Sequence, residues 1–325
     1  MTPLAFEARY QGEWQELEGL LDRVLGREKS ATNKSVPGER LAALYRRACE
    51  HLALARARAY PAYLLDRLER LTEDAHQVIY QQRELGANAL IRLFTADFPA
   101  AVRAHARYVW LAAILLALPA LAVGVLVYLR PELVLTVVDA QTAASFEEMY
   151  SSASEAVGRT RDAGGDWLMF GYYISNNIGI AFQCFGGGLF AGLGSIFFLV
   201  YNGAVFGAVA GYLTQRGLGP TFYSFVATHG AFELTAIVLS GAAGLRLGHA
   251  LLGPGRRTRL QSLVHAARQA VVLVYGFTAM LMVAAAVEAF WSSASWLPHP
   301  LKYGVATVCW IAVLAYLSLQ GRRAS

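Results

Sequence analysis

The sequence predicts an all-α, polytopic membrane bundle of about six spans, preceded by an N-terminal cytosolic helical domain. Three observations carry that expectation. Of 325 residues, 56% are hydrophobic and only 16% are charged, whereas a soluble chain carries about 25% charged residues. The charges are segregated: residues 1–107 hold 16 Lys/Arg and 14 Asp/Glu, and no acid follows Glu288. Beyond residue 107 the apolar runs reach the roughly 20 residues that a helix needs to cross a bilayer. The net charge of +5 therefore reports topology. No nucleic-acid partner is expected, because no exposed segment interleaves basic and aromatic residues.

Residues 1–107 read as a cytosolic amphipathic domain. Phe6, Tyr10, Trp14, Leu17, Leu21 and Val24 recur at three- and four-residue steps and form one apolar stripe. Ser35-Val36-Pro37-Gly38 interrupts it. Leu41, Leu44, Tyr45, Ala48 and Leu52 make a second stripe, and Pro61 opens a third helix with Leu64, Leu65, Leu68, Leu71 and Ile79. Gly86 precedes a last amphipathic helix from Leu90 to about Arg107, with Phe94 and Phe98 opposite Arg92 and Arg103. That helix is expected to run straight into lipid and to lie partly in the headgroup layer. Nothing at the N-terminus resembles a signal peptide, since residues 1–30 mix acids and bases.

Residues 108–325 read as the transmembrane domain. Tyr108–Leu129 is one span. Residues 130–167, with seven acids against three arginines, form an acidic external loop with room for a short amphipathic segment. Trp167–Leu213 is too long for one span and suits a hairpin, re-entrant or fully crossing, turning at Gly192-Leu193-Gly194-Ser195 or at Tyr201-Asn202-Gly203. Phe222–Leu245, Ala270–Trp291 and Tyr303–Leu319 complete the set. The stretch Arg246–Arg268 has five arginines and no acid, which places it in the cytoplasm by the positive-inside rule. Arg322-Arg323 places the C-terminus there too. The turn Ser292–Pro300 then lies outside, with Trp291 and Trp296 as interfacial anchors. The expected location is the bacterial inner membrane with both termini cytoplasmic. Membrane lipid is the first partner.

Two constellations stand out in the apolar part. Gly188-x3-Gly192 and Gly203-x3-Gly207-x3-Gly211, together with Gly230, are positions where helices can approach closely. They fit tight packing, a thin-walled path or a mobile broken helix, and make self-association plausible. The second constellation is polar: Ser175, Asn176, Asn177, Asn202, Thr228, His229 and Glu233. Between Asp166 and Glu288 the only carboxylate is Glu233. An ionisable group at that depth costs roughly 2.5–3.5 kcal/mol on insertion scales, so it faces a partner or a cavity. His229 and Glu233 are four apart and share a helix face. Asn176 and Asn177 are placed to cap a helix or to meet His229 across the bundle. The set reads as an internal hydrogen-bond network, a proton or ion relay, or a metal site; for the last, His229 and Glu233 lack a third ligand. Glu288 reads as interfacial.

Catalysis finds no support. HExxH, GxSxG and paired intramembrane aspartates are missing, and Ser195 and Ser240 have no basic partner at recognisable spacing. No nucleotide motif is present. Cys49, Cys184 and Cys309 form no zinc spacing. No enzyme activity, cofactor or metal is expected.

The order Asn176-Asn177, FQCFGGGLFAGLGS, Tyr201-Asn202-Gly203, HGAFEL and SGAAGLRLG resembles the stage II sporulation protein M family, integral membrane proteins of bacteria and archaea. FEARYQGEWQELEGLLDR and FTADFPAAVRAHARYVW look like the longer members found in non-sporulating bacteria. The resemblance covers nearly the whole chain. It makes Asn176, Asn177, Asn202, Gly203, His229, Gly230 and Glu233 signature positions. It implies a non-enzymatic scaffold, since the founding member brings cell-wall hydrolases to the septal membrane. The expected function is thus a membrane scaffold that organises an envelope or peptidoglycan-remodelling assembly with membrane or envelope proteins as partners. The alternative is a channel or secondary transporter working through His229 and Glu233.

Overall fold

The computed structural model describes residues 1–24, 38–80, 87–151, 163–294 and 296–322. Every regular element among them is helical. The chain divides into two compact units, Met1–Leu90 and Ile91–Ser325. The expected break at residues 35–37, Gly86 and Arg323 lie outside the described residues, as do residues 152–162 of the acidic loop and Ser295.

In the first unit, α1 (Pro3–Val24), α2 (Gly38–Ala57) and α3 (Ala62–Tyr80) form a three-helix module around one core. The stripes read from the sequence are its inner faces: Phe6, Trp14, Leu17, Leu44, Leu64 and Leu68 are all essentially inaccessible. Among its described residues, two polar side chains are buried in the module, Thr72, which donates to the Leu68 carbonyl of its own helix, and His51. Trp14 Nε1 donates to His51 Nδ1 at 3.1 Å, so the imidazole keeps its proton on Nε2. Burial holds His51 below its ordinary pKa of 6.5. Around the rim, Arg40 pairs with Glu16, and Arg67 with Glu7 and Glu18, tying α1 to α2 and α3.

A short helix, α4 (Ala87–Arg92), continues through a π-helical stretch, Leu93–Asp97, into α5 (Phe98–Ala104), which stops at His105 before α6 (Ala106–Leu129) starts. The single amphipathic helix expected from Leu90 to about Arg107 is thus several segments, interrupted at His105. Phe98 is buried against Gly276, and Arg103 donates to the Leu317 and Gln320 carbonyls at 3.1 and 2.7 Å. A cation on those unpaired helix-end carbonyls is favourable. Phe98 is thus turned into the bundle, whereas Leu90 and Ile91 stay exposed.

Among the described residues, five helices are long and apolar enough to cross a membrane: α6, α9 (Leu193–Gln215), α10 (Gly219–Leu252), α11 (Arg259–Ala286, continuing through a π-helical Val287–Ser292) and α12 (His299–Leu319). α8 (Ala163–Gly186) has the length but carries Ser175, Asn176 and Asn177. Its direction follows from packing. Gly203, Gly207 and Gly211 of α9 lie on the carbonyls of Leu116, Ala120 and Gly124 of α6, in that order. The two helices are therefore parallel, and α8 must carry the chain back from the far end of α6 to the start of α9. Any side chain at these three glycines would strike backbone, which cannot give way.

The α8–α9 turn runs through Gly187–Leu189 to Gly192, where the chain adopts φ +87°. It shares Gly192 with the first of the two positions read from the sequence, whose Leu193, Gly194 and Ser195 already belong to α9; Tyr201-Asn202-Gly203 is well inside that helix. Of the predicted close-approach glycines, Gly188 abuts the Gly244 backbone of α10, and Gly192 serves the turn. Gly230 is different: a methyl group there would meet only side-chain ends of Val226 and Leu234, at 3.7 and 3.8 Å.

The acidic loop folds back on the bundle. Asp139 caps α7 (Ala140–Tyr150) by accepting from the Thr142 amide at 2.9 Å. Glu147 pairs with Arg216 at 3.0 Å and accepts from the Tyr212 hydroxyl. Tyr150 packs edge-on against Phe222 and Phe225 of α10. Trp296 is exposed at the α11–α12 turn.

Candidate intramembrane polar site

The α10 and α11 arms form a long hairpin, and α10 contributes His229 and Glu233 one turn apart. Their facing atoms, Nε2 and Oε2, are 3.9 Å apart. That is too long for a hydrogen bond, yet well inside electrostatic range. His229 is 4% exposed. Its Nδ1 is hydrogen-bonded to Ser292 Oγ at 3.0 Å, and the edge of Phe225 closes one side of the ring.

The third ionisable group comes from the end of α11. Glu288 is buried, and one ligand atom from each of His229, Glu233 and Glu288 lies within 4.8 Å of the others. The sequence reads Glu288 as interfacial; its side chain is turned into the bundle. The physical reason is periodicity: Leu273, Phe277, Leu281 and Ala284 are the buried face of α11, and Glu288 is its next member. Glu288 and Ser292 both belong to the π-helical end of α11, a local widening that recurs at functional sites. Tyr150 of α7 packs on Phe225, whose ring in turn packs edge-on against His229.

A fixed cation sits beside it. Lys302 of α12 is 5% exposed and donates from Nζ to the Ser292 carbonyl at 2.8 Å. Thr228 donates to the Lys302 carbonyl at 3.4 Å. Three helices thus meet through Thr228, His229, Ser292 and Lys302.

The remaining sequence candidates sit elsewhere. Asn176 and Asn177 are in the middle of α8, so they cap nothing; Asn176 Nδ2 donates to Asn177 Oδ1 at 2.9 Å, and only Asn177 is buried. Asn202 donates to the Phe198 carbonyl of its own helix at 2.7 Å. Among the described residues, no hydrogen bond joins these amides to His229 or Glu233. Ser195 and Ser240 donate to the Cys184 and Ile237 carbonyls. Three members of the site, Glu288, Ser292 and Lys302, are not among the sequence candidates. For Glu288 the signal is present in the α11 stripe; for Ser292 and Lys302 there is none.

Chemically, two carboxylates and an imidazole share one small volume. Like charges about 4 Å apart repel by about 4 kcal/mol at an effective dielectric of 20. Such a pair is stable when a proton or a cation lies between its members. The cluster can therefore hold a positive charge at a fixed depth in the bundle.

Comparison with known proteins finds two family matches. Residues 4–81, the helical module, match a domain of unknown function (DUF8413). Residues 111–293 match stage II sporulation protein M. No curated protein and no solved structure matches the chain. The second match takes in more than half of the sequence, from α6 to the end of the π-helical segment, and includes His229, Glu233 and Glu288: the chain belongs to the stage II sporulation protein M family.

Proposed function

We propose that this membrane protein is a non-enzymatic organiser of a cell-envelope assembly, seated in the bacterial cytoplasmic membrane with both termini inside. The observation that carries the reading is the glycine seam between α6 and α9, where backbone lies on backbone at three successive turns. A bundle fastened in this way holds attached parts in fixed positions. The separately folded module Met1–Leu90 offers a platform for a cytoplasmic partner, and α7, held by Glu147, offers one on the other side. The arginines of the α10–α11 loop support that orientation.

The test compares the full chain with a variant lacking Met1–Leu90, both tagged and expressed at equal level. The shortened chain should insert normally and lose the envelope proteins that crosslink to the full chain. Equal recovery of those proteins by both chains would remove the docking role.

A second reading rests on the His229–Glu233–Glu288 cluster: a channel or secondary transporter in which these groups carry a proton or ion. Reconstituted protein beside its Glu233→Gln variant separates the two. Cation or proton flux that vanishes in Glu233→Gln, with assembly unchanged by size exclusion, would replace the organiser by a transporter.

A further inference from the structure

We propose that His229, Glu233 and Glu288 bind one divalent first-row transition cation of the Zn2+ or Mn2+ class, fastening α10 to the π-helical end of α11. The three ligand atoms come from two helices and lie within 4.8 Å of one another. Ligands about 2.1 Å from a tetrahedral metal are about 3.4 Å apart, and rotation of two flexible glutamate side chains closes that difference.

The imidazole distinguishes a cation from a shared proton. Two carboxylates can share a proton without a third group. Here a histidine more than nine-tenths buried is held from behind, Nδ1 on Ser292 Oγ at 3.0 Å. Its Nε2 makes no hydrogen bond among the described residues and points into the acid pair, facing Glu233 Oε2 at 3.9 Å. Metal-bound histidines are held in this way, with the second nitrogen hydrogen-bonded so that the tautomer and ring plane are fixed. With Nδ1–H donating to Ser292, the Nε2 lone pair is turned toward the cation.

The donor set selects the metal. One imidazole nitrogen with two carboxylate oxygens suits Zn2+ and Mn2+, whereas Mg2+ and Ca2+ call for six or more oxygens. Lys302 does not occupy the position, because its ammonium is directed at the Ser292 carbonyl. The Glu233 side chain retains 20% exposure, so protein does not wholly enclose it. The proposal holds whether the bundle organises partners or transports.

The experiment uses the full chain in nanodiscs, stripped with chelator and dialysed against Zn2+ or Mn2+, with bound metal measured by mass spectrometry. One ion per chain is expected, with thermal unfolding shifted upward. Glu233→Gln and Glu288→Gln should each weaken binding at least tenfold, and Ser292→Ala should weaken it by about tenfold. Glu147→Gln, on α7, should bind as the unaltered chain does. Co2+ in place of Zn2+ gives a visible spectrum that reads ligation directly, and this spectrum should change in Glu288→Gln while the helical content stays the same. Stoichiometry or affinity unaffected by both glutamate variants would overturn the proposal. So would a thermal midpoint that responds to pH in wild type but to neither metal, which is the signature of a shared proton.

Discussion

Gly207 of α9 rests directly on the Ala120 carbonyl of α6. Replacement by leucine must push the helices apart, because neither side of the contact has a side chain that can move. Gly207→Leu is expected to cost about 3 kcal/mol or more, read as a lower unfolding midpoint in a denaturing-detergent titration. Gly230→Ala is the counterpart. Its Cβ meets only ordinary contacts, and alanine is the better helix former by about 1 kcal/mol, so that variant should be unchanged or more stable.

The helical module offers a test of pH dependence. His51 is held below its ordinary pKa by burial, so below about pH 6.5 the unfolded chain takes up a proton that the folded one refuses. Stability is complete above that value and falls as pH drops beneath it. Urea midpoints of a 1–90 fragment at pH 7.5 and 5.5 should differ in that direction, and the difference should shrink in His51→Gln.

Trp14→Phe keeps the ring but removes the donor to His51, leaving a buried acceptor unpaired. A loss of about 1–3 kcal/mol is expected in the same fragment. A fragment that does not fold at all would show that the module depends on the membrane unit.

Arg103 closes the end of α12 through two carbonyls. Arg103→Ala should destabilise the bundle by about 1 kcal/mol and speed amide exchange in the last turn of α12. Exchange unchanged in that turn would mean that solvent caps it equally well.

On the loop side, Glu147 is the anchor of α7 through Arg216 and Tyr212. Glu147→Ala should raise hydrogen exchange across Ala140–Tyr150 and leave the α6–α9 seam protected.

Much of this architecture is legible because helices write their buried faces at three- and four-residue steps. The stripes of α1 to α3 are the core of the module, and the long apolar runs are membrane-length helices. What stays hidden is partner choice. The glycines at 203, 207 and 211 announce a close approach, but nothing in them says that α6, rather than a sequence neighbour, supplies the backbone. The polar site is half legible for a similar reason. His229 and Glu233 lie on one helix, where spacing alone brings them together. Glu288 arrives from another helix, and its neighbours Trp291 and the following turn suggest an interface. The α11 stripe running from Leu273 to Ala284 adds that its side chain faces inward. Asn176 and Asn177 look like caps only if the hairpin starts near them, whereas α8 begins a dozen residues earlier.

The parallel seam also has a consequence for biogenesis. During synthesis α6 leaves the ribosome well before α9, the helix whose glycines fit it, and in the interval its exposed residues Leu118, Leu121 and Val125 have only lipid to face. It is apolar enough to wait there alone. α8, with its serine and asparagines, is not, and it becomes comfortable in the bilayer when α9 arrives beside it. The expected order of insertion is thus a single helix followed by a hairpin, with the seam joining them.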